Sequence, residues 1–252
     1  MTAPAPSSLL LAFDTSTPTA RVALFTAAGQ CLGLREKTAA RHSANLLALC
    51  DEVLREAGVK PADLEAIACG AGPGSFTGLR VGLAVAKGLA LPSARPLVLV
   101  SSLDALANDL LGHAAAASAD VSSLPLLLPC IDAGKGQVYA RLYRESAGGA
   151  LAMGDADWVL TPADLCMLAT ENARGQKVVA GGTGVDRFID VFRQSNGELA
   201  VISAMAGPSA SAIATLARRR LQKGEHDDLE TAVPRYGRAP DITRPKNPLL
   251  TP

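Results

Sequence analysis

Apolar residues run unbroken from Leu9 to Phe13, stop at Asp14, and resume in ARVALF after the polar stretch TSTPT. A short apolar run, a turn-forming cluster and a second apolar run predict two antiparallel strands. CLGLREKT continues the series as a third strand after a turn at Gly29. The period then changes. In HSANLLALCDEVLREAG (42–58), Leu46, Leu49, Cys50, Val53, Leu54 and Ala57 recur at helical spacing, with Ser43 placed to cap and Gly58 to stop the chain. Each Leu or Val fully covered contributes roughly 1.5–3 kcal/mol, so this face needs a cover. PADLEAIACG predicts a helical turn and a strand, FTGLRVGLAVAKGLAL (76–91) a helix, PLVLVSS (96–102) a strand and LDALANDLLGHA a helix.

After an Ala/Ser-rich stretch (114–123) that reads as a linker, PLLLPCIDAGKGQVYARLYRE (125–145) repeats the opening theme of apolar strand, Asp132, glycine turn and alternating strand. The likeness of LLLAFD to LLLPCID points to internal duplication. TPADLCMLA (161–169) predicts a helix capped by Thr161, VVAGGTGVDRFIDVF (178–192) a strand, glycine turn and helix, and GPSASAIATLARRRLQKG (207–224) a helix with Pro208 near its start. Two strand-rich halves with βββαβαβα order predict an α/β protein of two RNase-H-like subdomains facing each other. The expected divisions are a disordered tail at 1–8, an N-terminal subdomain at 9–112, a C-terminal subdomain at 113–237 and a Pro-rich tail at 238–252. The last helix (208–223) is free to pack back on the first subdomain.

Composition narrows the classes. Of 252 residues 48% are hydrophobic and 19% charged, enough for a sizeable core. Formal net charge is zero and aromatics are 4%, which argues against a chain that grips nucleic acid alone. Five cysteines without a CxxC pair read as reduced thiols of a cytoplasmic protein. No apolar run reaches the length of a membrane span. His42, His113 and His226 form neither HxxxH nor HExxH, no zinc-spaced Cys/His set exists and no GxSxG elbow is present, so metalloprotease and serine-hydrolase chemistry lack their residues.

The stretch GAGPGSFTGLRVG (70–82) holds five glycines. A P-loop needs GxxxxGK[ST], but five residues after Gly72 stands Thr77. GxGxxG fails at Ser75 in one register and at Thr77 in the other. The first half of the stretch is therefore a turn with Ser75 as N-cap, with anion binding by the free helix amides still open. Gly78, Gly82, Ala86 and Ala90 form a stripe of small residues, where glycine costs about 1 kcal/mol relative to alanine. Such a stripe lets another helix backbone come close, within the chain or on a second subunit. Filling it at Gly82 is then expected to break association. Arg80 lies off the stripe, at its rim. Asp14 either bonds the amides of its own turn or holds a metal-bound water in a nucleotide cleft. The turn GGTG (181–184) either leads an ordinary strand into a helix or lets the helix approach a nucleotide. Arg218, Arg219 and Arg220 read as a solvated helix face rather than an RNA site.

Together, LLAFDTSTPTARVAL, RHSANLLALCDEVLREAG, ACGAGPGSFTGLRVGLAVAKGLAL and PCIDAGKGQVYARLY resemble the TsaB (YeaZ) family over residues 9–237, with its P-x-Y-x-R ending at Pro234, Tyr236 and Arg238. The resemblance implies the actin/Hsp70-like (ASKHA) fold. It implies a dimerisation and activating subunit of the bacterial complex that places N6-threonylcarbamoyl on adenosine 37 of tRNAs reading ANN codons. The implied partners are a catalytic TsaD-like paralogue, a TsaE-like ATPase, a TsaC-type synthase of threonylcarbamoyl-adenylate, and tRNA through the complex, with a homodimer when the chain is alone. Contact is expected through the helices at 43–57 and 76–90. Leu46, Leu49, Cys50, Val53, Leu54, Gly78, Leu79, Gly82, Ala86 and Ala90 are the candidate interface residues. Where the paralogue carries its HxxxH metal ligands, this chain has Ser102 and Leu106, so no metal and no catalytic residue are expected. Asp14, Thr15, Ser16, Gly72, Gly74, Ser75, Asp132, Gly182 and Gly184 are candidate nucleotide-cleft residues, with no cofactor for the chain alone and ATP or ADP at the subunit junction. The alternative is an ATP-dependent small-molecule kinase or ATPase of the same fold, using Asp14 or Asp132.

Overall fold

The computed structural model describes residues 9–38, 46–117, 124–195 and 199–238. The expected N-terminal tail, the cap at Ser43, His42 and residues 239–252 of the Pro-rich tail lie outside the described residues.

The N-terminal lobe follows the predicted order. Strands β1 (Leu9–Asp14), β2 (Thr19–Phe25) and β3 (Cys31–Thr38) are followed by α1 (Leu46–Glu56), β4 (Leu64–Gly70), α2 (Phe76–Ala90) and β5 (Leu97–Val100). The sheet order is β3-β2-β1-β4-β5. β1 pairs antiparallel with β2 and parallel with β4. β1 is buried along its whole length because both of its faces are covered, which is why its sequence is apolar without alternation. Leu9, Leu11 and Phe13 face the layer that holds α1 and α2. Leu10 and Ala12 face the opposite side.

The C-terminal lobe repeats the plan. β6 (Leu126–Gly134), β7 (Gln137–Ala140), β10 (Trp158–Leu160), α4 (Pro162–Ala173), β11 (Val178–Gly181) and β12 (Leu199–Ile202) give the order β10-β7-β6-β11-β12. Its pairings are antiparallel, antiparallel, parallel and parallel, as in the first sheet. β6 thus stands for β1 and β11 for β4, which establishes the duplication that LLLAFD and LLLPCID announced. The hairpin β8 (Tyr143–Ser146) and β9 (Gly149–Ala152) is added at the side of β6. The predicted helix after GGTG is two short ones, α5 (Thr183–Arg187) and α6 (Ile189–Gln194), divided at Phe188.

The two remaining helices cross over. α3 (Ser102–Ala117) follows β5, yet Leu103, Leu106 and Leu110 pack with Leu127, Tyr139 and Tyr143 of the second lobe. It also continues to Ala117, so Ala114 to Ala117 are helix and not linker. α7 (Ala210–Gln222) follows β12 but buries Ala210, Ile213, Ala214 and Ala217 against Leu10, Ala12, Ala66 and Val98 of the first sheet. The small side chains on both surfaces let this helix lie close to the sheet. Ser209 caps α7, its hydroxyl accepting from the Ala212 amide at 3.0 Å, and Pro208 stands one residue before the cap. Asp109 of α3 accepts from the Ser209 amide at 2.8 Å and from its hydroxyl at 2.6 Å, which ties the crossing helices together. Two duplicated lobes joined by exchanged helices form the actin/Hsp70-like architecture. Among the described residues, no helix is long and apolar enough to cross a membrane.

Candidate functional site

The glycine stretch leads from β4 into α2 and wraps the turn after β1. Ser75 caps α2, its hydroxyl accepting from the Gly78 amide at 3.2 Å. The Ser75 amide donates to the Ser16 carbonyl at 2.7 Å. A Cβ at Gly78 would overlap the Thr15 carbonyl, and one at Gly82 would overlap the Thr15 hydroxyl and sit 3.4 Å from Cys69 Sγ. The Thr15 hydroxyl donates to the Gly78 carbonyl at 2.8 Å. The stripe therefore lets α2 press against the first strand–turn of its own lobe, not against a second subunit.

The same burial corrects the rest of the expected interface. Leu46, Leu49, Cys50, Val53 and Leu54 lie under the sheet, as do Leu79, Ala86 and Ala90 on α2. An amphipathic helix on a single-domain sheet spends its apolar face on its own core. The surface these helices offer is the opposite one. It carries Leu47 (58% exposed), Ala48, Ala84, Gly88 and, just past α2, Leu91 (69% exposed).

Asp14 sits 1% exposed at the end of β1. One carboxylate oxygen accepts from the Ser16 amide at 2.8 Å and hydroxyl at 2.6 Å; the other accepts from the Ser102 hydroxyl at 2.9 Å. Ser102 in turn donates its amide to the Gly72 carbonyl and accepts from the Gly72 amide. Burial raises the Asp14 carboxyl above the usual carboxylate range, against the pull of Ser16, Ser102 and the Arg21 charge. Asp14 is thus a knot between the first turn, the glycine loop and the start of α3. Ser102, fully buried, is committed to this knot, and Leu106 to the core of the second lobe.

The structure divides the candidate cleft residues into two sets. A cleft of about 580 Å³ between the lobes is lined by Gly74, Ser75 and Phe76 from the first lobe and by Asp132, Lys135 and Tyr139 from the second. Tyr236, Gly237 and Arg238 of the chain's last described segment complete it. Asp14, Thr15, Ser16 and Gly72 are buried instead. Gly182 and Gly184 pack against Cys130, Leu106 and Val138. Asp132 pairs with Arg187 and accepts from the Gly134 amide at 2.9 Å. Among the described residues, no group of three or more His, Cys, Asp and Glu is placed to hold a metal ion.

Sequence reasoning missed Phe76, Lys135 and Tyr139 as cleft residues. Phe76 and Tyr236 have ring centroids 5.1 Å apart. The Arg80 guanidinium lies 4.0 Å from the Phe76 centroid and donates to the Tyr236 hydroxyl at 3.0 Å. The available signal was the P-x-Y-x-R ending in a chain with only three tyrosines. The arginine triplet is used internally: Arg218 pairs with Glu65 at 2.7 Å, Arg219 bonds the Gly148 carbonyl, and Arg220 bonds the Leu99 carbonyl and Asp227, each at 2.9 Å.

The profile of the family described as "TsaD: tRNA N6-adenosine threonylcarbamoyltransferase" matches residues 35–245. A solved structure, YeaZ from Pseudomonas aeruginosa, is 31% identical, covers 91% of this chain and 99% of its own, and superposes with a TM-score of 0.72. The chain belongs to this family, on its TsaB/YeaZ branch. A TsaB from Escherichia coli, named a tRNA threonylcarbamoyladenosine biosynthesis protein, is 29% identical over 232 residues, 90% of this chain and 93% of that protein. A TsaB from Haemophilus influenzae is 35% identical over 130 residues, about half of each chain. In this TsaB/YeaZ-family chain the small-residue stripe lies inside the lobe and the aromatic–arginine cluster at its surface.

Proposed function

We propose that this chain is a non-catalytic subunit in the formation of threonylcarbamoyladenosine on tRNA, and that it activates a TsaD-type transferase by docking to it. The observation that carries the reading is the likeness to TsaB and YeaZ proteins along nine-tenths of the chain. The buried roles of Asp14, Ser102 and Leu106 support it, since these positions are spent on the fold and not on chemistry. The docking surface is the outer face of α1 and α2 around Leu47, Ala84, Gly88 and Leu91, which leaves large apolar side chains in water. A TsaE-like ATPase and a TsaC-type synthase supply the rest of the machinery, ATP or ADP binds at the junction of the subunits, and the same face pairs two copies when the partner is absent.

Reconstitution tests this. Purified chain, TsaD-type transferase, ATPase and synthase are mixed with unmodified tRNA, and threonylcarbamoyladenosine is counted by mass spectrometry of nucleosides. Modification is expected to require this chain. It is expected to be lost, together with co-sedimentation of the transferase, in Ala84→Arg, whose side chain enters the docking face without touching the core. Equal modification with the chain omitted refutes the reading.

A further inference from the structure

The mouth of the interlobe cleft combines features that the docking role leaves unused. Phe76 and Tyr236 are 42% and 39% exposed, although the chain has few aromatics and buries Tyr139 and Tyr143 almost fully. The Arg80 guanidinium carbon lies 4.0 Å from the Phe76 ring centroid and the Phe76 and Tyr236 rings are tilted by 34°, so rings and guanidinium together form an aromatic, cationic cluster at the cleft edge. Lys135 and Arg238 line the same cleft, Arg238 also donating to the Gln137 side chain, and Asp132, the carboxylate of the lining among the described residues, is paired with Arg187.

We infer that this cleft mouth is a contact site for an unpaired nucleotide of single-stranded RNA, with the base stacked on the Phe76–Arg80–Tyr236 platform and the phosphates facing Lys135 and Arg238. Aromatic faces take any base, and flanking cations take the backbone. A free nucleoside triphosphate fits the geometry less well. The glycine stretch matches neither phosphate-binding fingerprint, and the rings stand at the rim, where they cover one face of a base without enclosing it. A single stacked base is a weak contact, which serves an RNA already held elsewhere in an assembly. The inference rests on the proposed role in tRNA modification for the kind of RNA, and it adds a direct RNA contact made by this subunit.

The test uses the full chain, alone and assembled with its TsaD-type partner, and an RNA stem-loop carrying 2-aminopurine at an unpaired loop position. Binding is expected to quench the 2-aminopurine. Tyr236→Ala and Phe76→Ala are expected to weaken binding by about fivefold to about a hundredfold and to abolish the quench, the span covered by stacking one base on one ring. Tyr236→Phe keeps the ring and is expected to keep the quench. Lys135→Ala is expected to lower the salt dependence by about one counterion while the quench remains. Thermal unfolding of each variant separates a lost contact from a lost fold. Unchanged RNA affinity in folded Tyr236→Ala and Lys135→Ala overturns the inference. So does displacement of the RNA by free AMP at an equal concentration, which assigns the cleft to mononucleotides. If partner assembly survives while RNA binding is untouched by these variants, the inference fails and the proposed function stands. If the partner does not assemble but the chain alone quenches the RNA, the reverse holds.

Discussion

Gly82→Ala adds one methyl group to α2, in a helix where alanine is intrinsically better than glycine by about 1 kcal/mol. At this site the methyl would overlap the Thr15 hydroxyl and touch Cys69 Sγ at 3.4 Å. Thr15 is fully buried and donates to the Gly78 carbonyl, so it has no free space into which to turn. Displacing it leaves a buried hydroxyl without its partner, at a cost of about 1–3 kcal/mol. Forcing the helix outward instead overpacks the layer, at a cost of about 1–3 kcal/mol. Set against the propensity gain of about 1 kcal/mol, either route leaves a net loss of up to about 2 kcal/mol. Gly88 lies six residues further along the same helix, with nothing within 4 Å of an added Cβ. Gly88→Ala is expected to gain up to about 1 kcal/mol. Urea unfolding of the two variants, followed by circular dichroism, gives opposite signs for the same chemical change. Equal stability of Gly82→Ala and Gly88→Ala refutes the placement of the stripe against Thr15.

Burial holds Asp14 protonated to higher pH in the folded chain than in the unfolded one. Its contribution to stability is therefore full below about pH 4 and is lost as pH rises through the folded pKa. Asp14→Asn removes that loss, so its stability relative to the parent should improve as pH rises above about 4 in urea titrations; a constant difference counts against a buried, desolvated carboxyl. Asp109→Ala removes the carboxylate that holds the Ser209 cap of α7 and with it the tie between the exchanged helices, for an expected loss of about 1–3 kcal/mol. Hydrogen exchange should quicken in the first turn of α7 and in α3, and unchanged protection there would argue against the tie. Of the five cysteines only Cys31 is exposed. Burial pushes the Cys50 thiol up to about 12 and the Cys69 and Cys130 thiols well above their ordinary value. A thiol reagent should label one cysteine in the native chain and the rest only on unfolding, and fast labelling of more than one refutes this packing.

The sheet plan of both lobes was legible because it is a local signal. Runs such as LLLAFD and LLLPCID, bounded by turn residues, can satisfy their apolar side chains only as covered strands, and the same pattern met twice reports a duplicated lobe. The helices at 46–56, 76–90, 162–173 and 210–222 were legible from their period and from caps such as Ser75 and Thr161. β9, β10 and β12 were not, and the single alternating strand expected up to residue 145 is divided into β7 and β8.

What a helix face is for was not a local signal. The small-residue stripe from Gly78 to Ala90 and the apolar face of α1 announce close contact, but the contact's other side is named only by the fold. Here β1, β2 and the turn at Thr15 fill it, and the surface left for a partner is the opposite one, with Leu47, Ala84 and Gly88. The exchange of α3 and α7 between lobes follows from where their small and apolar residues find complementary sheets, which no spacing along the chain encodes. The cleft is likewise a product of distance in space. Phe76, Lys135 and Tyr236 lie far apart in sequence and meet only because two lobes and a returning C-terminal segment close around one point. Sequence alone determined the longer elements, the duplication and the family; the tertiary structure decided which faces are spent on the core and which remain to bind.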